Sequence, residues 1–200
     1  MEKITQLSQL DLNQTYSYAD YLTWRFEETV ELIKGKIMQM SPAPTVNHQR
    51  LERKLLVAID SYLRDKQCEI FPAPFDVRLY DRKKSQLANQ EVYTVVQPDL
   101  CVICNPELLD KRGCNGAPEW IIEIVSKSTS KKDMQIKYAL YQESGVSEYW
   151  LVYPELQTIQ QFVLDERSHY QLQPMNADNL MNSHLFPELI IDSTALFAKS

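Results

Sequence analysis

Val95-Val96-Gln97-Pro98-Asp99-Leu100-Cys101-Val102-Ile103 and Glu119-Trp120-Ile121-Ile122-Glu123-Ile124-Val125-Ser126 are the two runs whose reading decides the fold. Both are apolar, of strand length and rich in Val and Ile, and both carry an acid. Asp99 and Glu123 are 24 positions apart, and Glu123 has two apolar residues on each side. An ionised carboxylate among Trp, Ile and Val is costly unless a cation, a proton or hydrogen bonds compensate it. If the two strands are neighbours, two acids meet in a mostly apolar sheet, which is how a hard divalent cation is commonly held. Metal-assisted hydrolysis is the leading reading of these residues.

Outward from these runs, helix-like and strand-like patterns alternate. Residues 1–15 are polar and read as a loosely held arm, and Tyr18 to Glu28 predicts a short helix. Val30-Glu31-Leu32-Ile33 and Lys36-Ile37-Met38-Gln39-Met40 predict a hairpin turning at Lys34-Gly35. Glu31 is a further acid in an apolar strand and a candidate third carboxylate. From Asn47 to about Arg64, apolar positions 51, 55, 56, 59, 62 and 63 recur at helical spacing and predict a long amphipathic helix. Glu69 to Leu79 reads as a strand in which Pro72 and Pro74 mark an edge or bulge, followed by a polar loop over residues 80–93. After the Glu123 run, Ser128 or Ser130 caps a predicted helix to about Glu143, which Gly145 ends. Strands are expected at 148–152, 158–164 and 170–173, and the apolar stretch 189–197 is expected to dock on the body. With no internal repeat or linker, the pattern is one mixed α/β domain over residues 16–200.

Composition narrows the function. Hydrophobic residues make up 44% and charged ones 24%, as in an ordinary soluble globular protein. No apolar run approaches a bilayer span and no secretory signal is visible, so a cytoplasmic location without membrane contact is expected. The net charge of −6 makes any nucleic-acid contact local rather than driven by the whole-molecule field. Only four glycines are present, so neither G-x-G-x-x-G nor G-x-x-x-x-G-K-[ST] can be assembled. The three histidines are isolated, which excludes H-E-x-x-H zinc hydrolysis, and no G-x-S-x-G elbow occurs. Cys101 and Cys104 form a C-x-x-C pair, but residues three apart on a strand point to opposite faces. Their sulfurs should not converge, and the pair is expected as buried structural thiols.

On the Glu123 strand the same face carries residues 121, 123 and 125, so Val125 brings no charge to the acid. On the next helix Asp133, Lys137 and Tyr141 form one stripe, which is either a solvated ion-pair face or a face whose lysine points at the carboxylates. His48, near the start of the long helix, reads as a capping or surface residue with an active-site role open. Arg82-Lys83-Lys84, Lys111-Arg112, and Lys127 with Lys131, Lys132 and Lys137 are the basic clusters.

Gln97-Pro98-Asp99, then Gly116-Ala117-Pro118-Glu119-Trp120-Ile121-Ile122-Glu123-Ile124-Val125-Ser126, then Ser128-Thr129, Asp133, Lys137, Tyr141 and Gly145-Val146-Ser147-Glu148-Tyr149-Trp150 form an ordered series that resembles the Uma2 family. That family is common in cyanobacteria and is assigned to the PD-(D/E)xK nuclease superfamily. Glu31-Leu32-Ile33-Lys34-Gly35-Lys36-Ile37 and Ser41-Pro42 are similar to its opening hairpin, and the likeness spans about residues 16–195. The resemblance implies a restriction-endonuclease-like core, with a central mixed β-sheet flanked by helices and a metal site at its edge. It implies DNA phosphodiester hydrolysis with Mg²⁺, for which Mn²⁺ can substitute, held by Asp99, Glu123 and the Ile124 carbonyl. Val125 stands where E-x-K nucleases carry lysine, and Lys137 becomes its replacement, orienting or deprotonating the attacking water, with Lys127 the nearer rival. Glu31 would bind a second metal or a water, Tyr141 would pack against the site, and DNA contacts are expected from Arg82, Lys83, Lys84, Lys127, Lys131 and His48. The alternative is a catalytically inactive nuclease-fold protein acting as a nucleic-acid-binding or interaction module, suggested by the net acidity and the missing E-x-K lysine. Related nucleases often act as dimers, so a homodimer is a further expectation, with Tyr149, Trp150, Tyr153 and Phe162 as either interface or core.

Overall fold

The strands on either side of Asp99 belong to two different sheets. The computed structural model describes residues 4–40, 44–80, 92–126, 131–174 and 179–198. In chain order its elements are α1 (Tyr18–Tyr21), β1 (Val30–Ile33), β2 (Lys36–Gln39), α2 (Val46–Leu63), β3 (Glu69–Pro72), β4 (Val77–Leu79), β5 (Thr94–Val96), β6 (Leu100–Ile103), β7 (Leu109–Asp110), β8 (Gly113–Asn115), β9 (Trp120–Ile124), α3 (Lys131–Ser144), β10 (Glu148–Tyr153), β11 (Thr158–Leu164), β12 (Tyr170–Leu172), β13 (Leu180–Asn182), β14 (Ile190–Asp192) and α4 (Ser193–Phe197). One sheet has the order β2-β1-β5-β4-β8-β7, the other β12-β11-β10-β9-β6-β3, and β13-β14 form a separate hairpin. Both large sheets are mixed: β9–β10 and β4–β8 are parallel pairs among antiparallel ones.

The β1–β2 hairpin forms where the sequence predicts it. Lys34 and Gly35 both take positive φ (52° and 82°), the backbone of a two-residue turn whose twist matches its strands. On α2, Leu51, Leu55, Ile59 and Leu63 form the buried stripe and pack on one face of the second sheet, against Leu100, Val102, Trp120, Ile122 and Ile124. The opposite face carries Cys101, Ile103, Ile121 and Tyr149, covered by Leu140 and Tyr141 of α3 and by Val77, Leu79 and Val96 of the first sheet. Strand β9 therefore alternates between two apolar layers, and Glu123 points into the α3 side with Ile121 and Val125. The C-terminal stretch docks as expected, with Leu189, Ile191 and Leu196 in the α2 layer.

Several expectations need correction. The single strand expected over 69–79 divides at Pro72–Asp76 into β3 and β4, which belong to different sheets. The Asp99 run divides in the same way, with β5 in one sheet and β6 in the other. Pro74 and Pro98 offer no N–H to a ladder, so strand pairing gives way at both places. The helix expected from Tyr18 to Glu28 stops after Tyr21. Trp24 stacks on Phe26 with ring centroids 5.6 Å apart, and residues two apart do not share a face of a helix. The expected loose arm is tied down in its described part, because Leu7 and Leu10 are buried with Tyr18, Trp24 and Val30. Cys68 and Cys104 are joined by a disulfide across the β3–β6 pair, so Cys104 is not the free thiol expected, whereas Cys101 and Cys114 are free and buried. Tyr149 and Trp150 are fully buried, which removes them as interface candidates. Among the described residues no helix is long and apolar enough to cross a membrane.

Glu148, fully buried at the start of β10, had no assigned role in the sequence reading. Its carboxylate accepts hydrogen bonds from Trp150 Nε1, Gln161 Nε2, Ser183 Oγ and the backbone N–H groups of His184 and Leu185. It thereby pins the loop after β13 to the central sheet. Glu148→Ala strands these donors and should cost about 3–5 kcal/mol in urea unfolding, as expected when several buried donors lose their acceptor at about 1–3 kcal/mol each. Glu148→Gln, which keeps an acceptor oxygen, should cost less, and equal unfolding midpoints for wild type and Glu148→Ala would contradict this role.

Candidate active site

Strands β6 and β9 pair antiparallel with Leu100 opposite Ile122 and Cys101 opposite Ile121. One further step of that register sets Asp99 level with Glu123, so the two acids meet at the mouth of the ladder. Asp99 is held by backbone on both sides: the Ile124 N–H donates to its Oδ2 at 2.6 Å, and its own carbonyl accepts the Ala73 N–H at 3.0 Å. Ile124 thus enters the site through its N–H, a contact that the sequence reading did not anticipate.

Glu123 is held from α3. Its Oε1 accepts Lys137 Nζ at 2.9 Å and the Tyr141 hydroxyl at 2.7 Å. Lys137 and Tyr141 are four residues apart and so lie on one helical face, which overturns the solvated-stripe reading for these two members. Lys137 Nζ also donates to Glu31 Oε1 at 3.0 Å, so one ammonium bridges two carboxylates from different sheets. Glu31 is only 4% exposed, and its Oε1 also accepts the Gln97 N–H at 2.9 Å. Gln97 in turn donates through its side chain to Asp76 Oδ1 at 2.8 Å, joining the two segments where the chain changes sheets. The Asp76–Gln97 link carries no sequence signal, since it joins residues 21 positions apart.

The electrostatics follow from burial. Loss of solvent pushes the Glu123 carboxyl up to about 7, with Asp99 and Glu31 adding to the rise and Lys137 offsetting only part of it. For Lys137 burial works to lower the pKa, but the Glu123 and Glu31 carboxylates outweigh it and hold the amine above its ordinary range. Burial and the Glu123 charge likewise raise the Tyr141 hydroxyl well above the ordinary tyrosine value. At neutral pH Lys137 is therefore a cation and Tyr141 a hydrogen-bond donor.

His48 is not the surface residue expected. It is 8% exposed, and Thr45 supplies the cap of α2, its hydroxyl accepting the His48 N–H at 3.3 Å. The His48 ring turns inward, with Nε2 3.3 Å from Asp99 Oδ2 and Nδ1 3.8 Å from Glu52 Oε2. Burial works against the charged ring, but Asp99, Glu52 and Glu123 outweigh it and raise the His48 pKa overall. Glu52 is the acid the sequence reading missed; its one signal was its position four residues after His48 on the same helical face. Arg82, Lys83, Lys84 and Lys127 lie outside the described residues. Lys131 opens α3, but its side chain and that of Asp133 also lie outside them.

Among the described residues, no group of three or more His, Cys, Asp or Glu is arranged to hold a metal ion. The donor set at the ladder mouth is two carboxylates. Mg²⁺ fits such a set because it keeps several waters and commonly takes only one or two protein carboxylates. Glu31 fits less well as a second ligand, since Lys137 and the Gln97 N–H already engage its Oε1.

Two mixed sheets flanked by helices, with paired acids at the end of a strand ladder and a lysine held against one of them, define a nuclease-like α/β protein. The chain belongs to the Uma2 family, described as "Putative restriction endonuclease", which matches residues 18–194. Among solved structures, it is similar to that of "a putative nuclease belonging to DUF820 from Anabaena variabilis ATCC 29413", with a TM-score of 0.69 and 21% identity over 90% of this chain and 97% of that one. At that identity the likeness carries the fold alone. No curated protein matches the chain. The family supports a nuclease.

The raised Glu123 carboxyl predicts a pH effect on stability. A carboxyl with a folded value of about 7 takes up its proton more readily in the folded than in the unfolded chain. Its contribution is fully present below the unfolded value of about 4.5 and is lost as pH rises through about 7. In EDTA, urea unfolding should show wild type losing about 1–3 kcal/mol across this window relative to Glu123→Gln. Parallel profiles for the two proteins would show that the buried acid is not the cause.

Proposed function

We propose that this protein is a metal-dependent endonuclease that hydrolyses DNA phosphodiester bonds at Asp99 and Glu123. The observation that carries the reading is the meeting of these acids at the β6–β9 ladder mouth, with the Lys137 ammonium held 2.9 Å from Glu123. Asp99 and Glu123 would hold Mg²⁺, or Mn²⁺ in its place. That cation would supply Lewis acidity to a phosphoryl oxygen and make water a better nucleophile at neutral pH.

The chain's own residues do the rest. The Ile124 N–H fixes the Asp99 carboxylate, and the Tyr141 hydroxyl fixes that of Glu123. Lys137 is not a proton acceptor here: a lysine whose pKa stands above the ordinary range donates hydrogen bonds and offsets negative charge as it develops on the phosphate. Glu31 is the counter-charge that keeps Lys137 in place. The family description supports DNA as the substrate, and the basic residues Arg82, Lys83, Lys84, Lys127 and Lys131 are the proposed backbone contacts.

A second reading, a nuclease fold that binds without cutting, is favoured by one observation: Lys137 is already paired with both Glu123 and Glu31. Cleavage of plasmid and branched DNA with Mg²⁺ or Mn²⁺ separates the two. Wild type should cut, and Asp99→Ala and Glu123→Ala should be inactive. Lys137→Ala should lose about 10²–10³-fold, as expected for removal of one preorganised donor. Equal activity in wild type and Glu123→Ala would sink the nuclease site, and no cleavage by any of them together with DNA binding by all would favour the second reading.

A further inference from the structure

We infer that His48 is a positioning residue for Asp99: its ring, whose Nε2 lies against Oδ2, and the Ile124 N–H together engage one carboxylate oxygen, so that the other is the one presented to the cation. Glu52 biases the ring toward that orientation. This rests on the metal-site reading above and goes beyond it, because it assigns roles to two side chains of α2.

The geometry argues for a designed contact rather than an accidental one. The terminal torsion of an aspartate is broad and roughly two-fold, so a single hydrogen bond leaves the plane of the carboxylate free to turn. Two groups reach Asp99 Oδ2 from different elements: the backbone N–H of Ile124 on β9 donates at 2.6 Å, and the ring nitrogen of His48 on α2 lies 3.3 Å away as an ion-pair partner. A carboxylate oxygen has two lone pairs, and the backbone N–H with the ring beside it cover that side of the group. Oδ1 is then the oxygen left to a cation. The group on α2 is itself rigid, since Leu51 and Leu55, three and seven residues further along the same face, are 2% and 0% exposed in the core.

Glu52 completes the arrangement. His48 Nδ1 is buried and has no hydrogen-bond partner among the described residues, yet it lies 3.8 Å from Glu52 Oε2. A carboxylate at that distance makes no hydrogen bond, but its charge attracts the Nδ1 side of the ring and biases which way the ring faces. The result is an ordered line, Glu52 to His48 to Asp99, parallel to the one formed by Glu31, Lys137 and Glu123. One line orients the first acid and the other compensates the second.

The test compares two replacements of similar length, one with a donor and one without. Mn²⁺ binding is measured by calorimetry for wild type, His48→Gln and His48→Met, alongside thermal unfolding. His48→Met should weaken Mn²⁺ binding by about 10–100-fold, the usual effect of removing an outer-shell partner. His48→Gln, whose amide can donate to Oδ2, should stay within about threefold of wild type on that scale. Glu52→Gln should weaken binding in the wild-type background and have no further effect in His48→Met. If Met and Gln fall equally, or neither falls, His48 acts only through packing or not at all, and the positioning role is overturned. A Glu52→Gln loss that persists in His48→Met overturns the role of Glu52. If wild type binds no Mn²⁺, the metal site itself fails, and the positioning role fails with it.

Discussion

The bridge from Lys137 to Glu31 and Glu123 is the interaction on which the site depends. Three acids, Glu31, Asp99 and Glu123, converge where two sheets and two helices meet, and each would repel the others in a space largely closed to water. One ammonium with bonds of 3.0 and 2.9 Å to two of them offsets much of that repulsion, and the backbone N–H of Ile124 serves the third. Removing the lysine would leave buried charges unpaired, which is more costly than never having buried them. The same bridge supplies Glu123 with a cation although Val125 brings none on its own strand face. The cation arrives from α3, and the strand position is free to pack.

The fold delivers these groups by changing sheets. The chain leaves one sheet at Pro72 and enters the other at Val77, and it crosses back between Val96 and Leu100. The crossings lie side by side, joined by the Ala73 N–H to the Asp99 carbonyl and by the Gln97 side chain to Asp76. Asp99 therefore stands at a break in strand pairing, where its side chain meets α2 and the backbone of β9. Glu123 stands on a central strand whose other residues fill both cores. The pair combines one acid set by a crossover with one set by a ladder.

How much of this was legible follows from the range of each signal. The β1–β2 turn, the α2 stripe and the alternation of β9 are local patterns, and all three stand where the sequence placed them. That Asp99 and Glu123 would meet followed from treating their strands as neighbours, and the register shows that they are. The sheet change at Pro98 was not legible, because an apolar run broken by one proline reads as one strand until its partners are known. The Cys68–Cys104 bond was missed for the same reason: the two cysteines are 36 positions apart and face each other only once β3 pairs with β6. On α3, spacing alone left two readings of the Lys137 stripe, since a helical face does not reveal what lies opposite it. His48 looked like a helix-start residue, but Thr45 took the cap and freed the ring to turn inward.

The central claim is that Asp99 and Glu123 form a cation site beside a lysine that is permanently charged. Anomalous diffraction from crystals soaked in Mn²⁺ tests it most directly. The account predicts one peak within coordination distance of both carboxylates, with Lys137 Nζ still bonded to Glu31. A peak bound by Glu31 in place of Lys137, or no peak at the ladder mouth at full soaking, would contradict it.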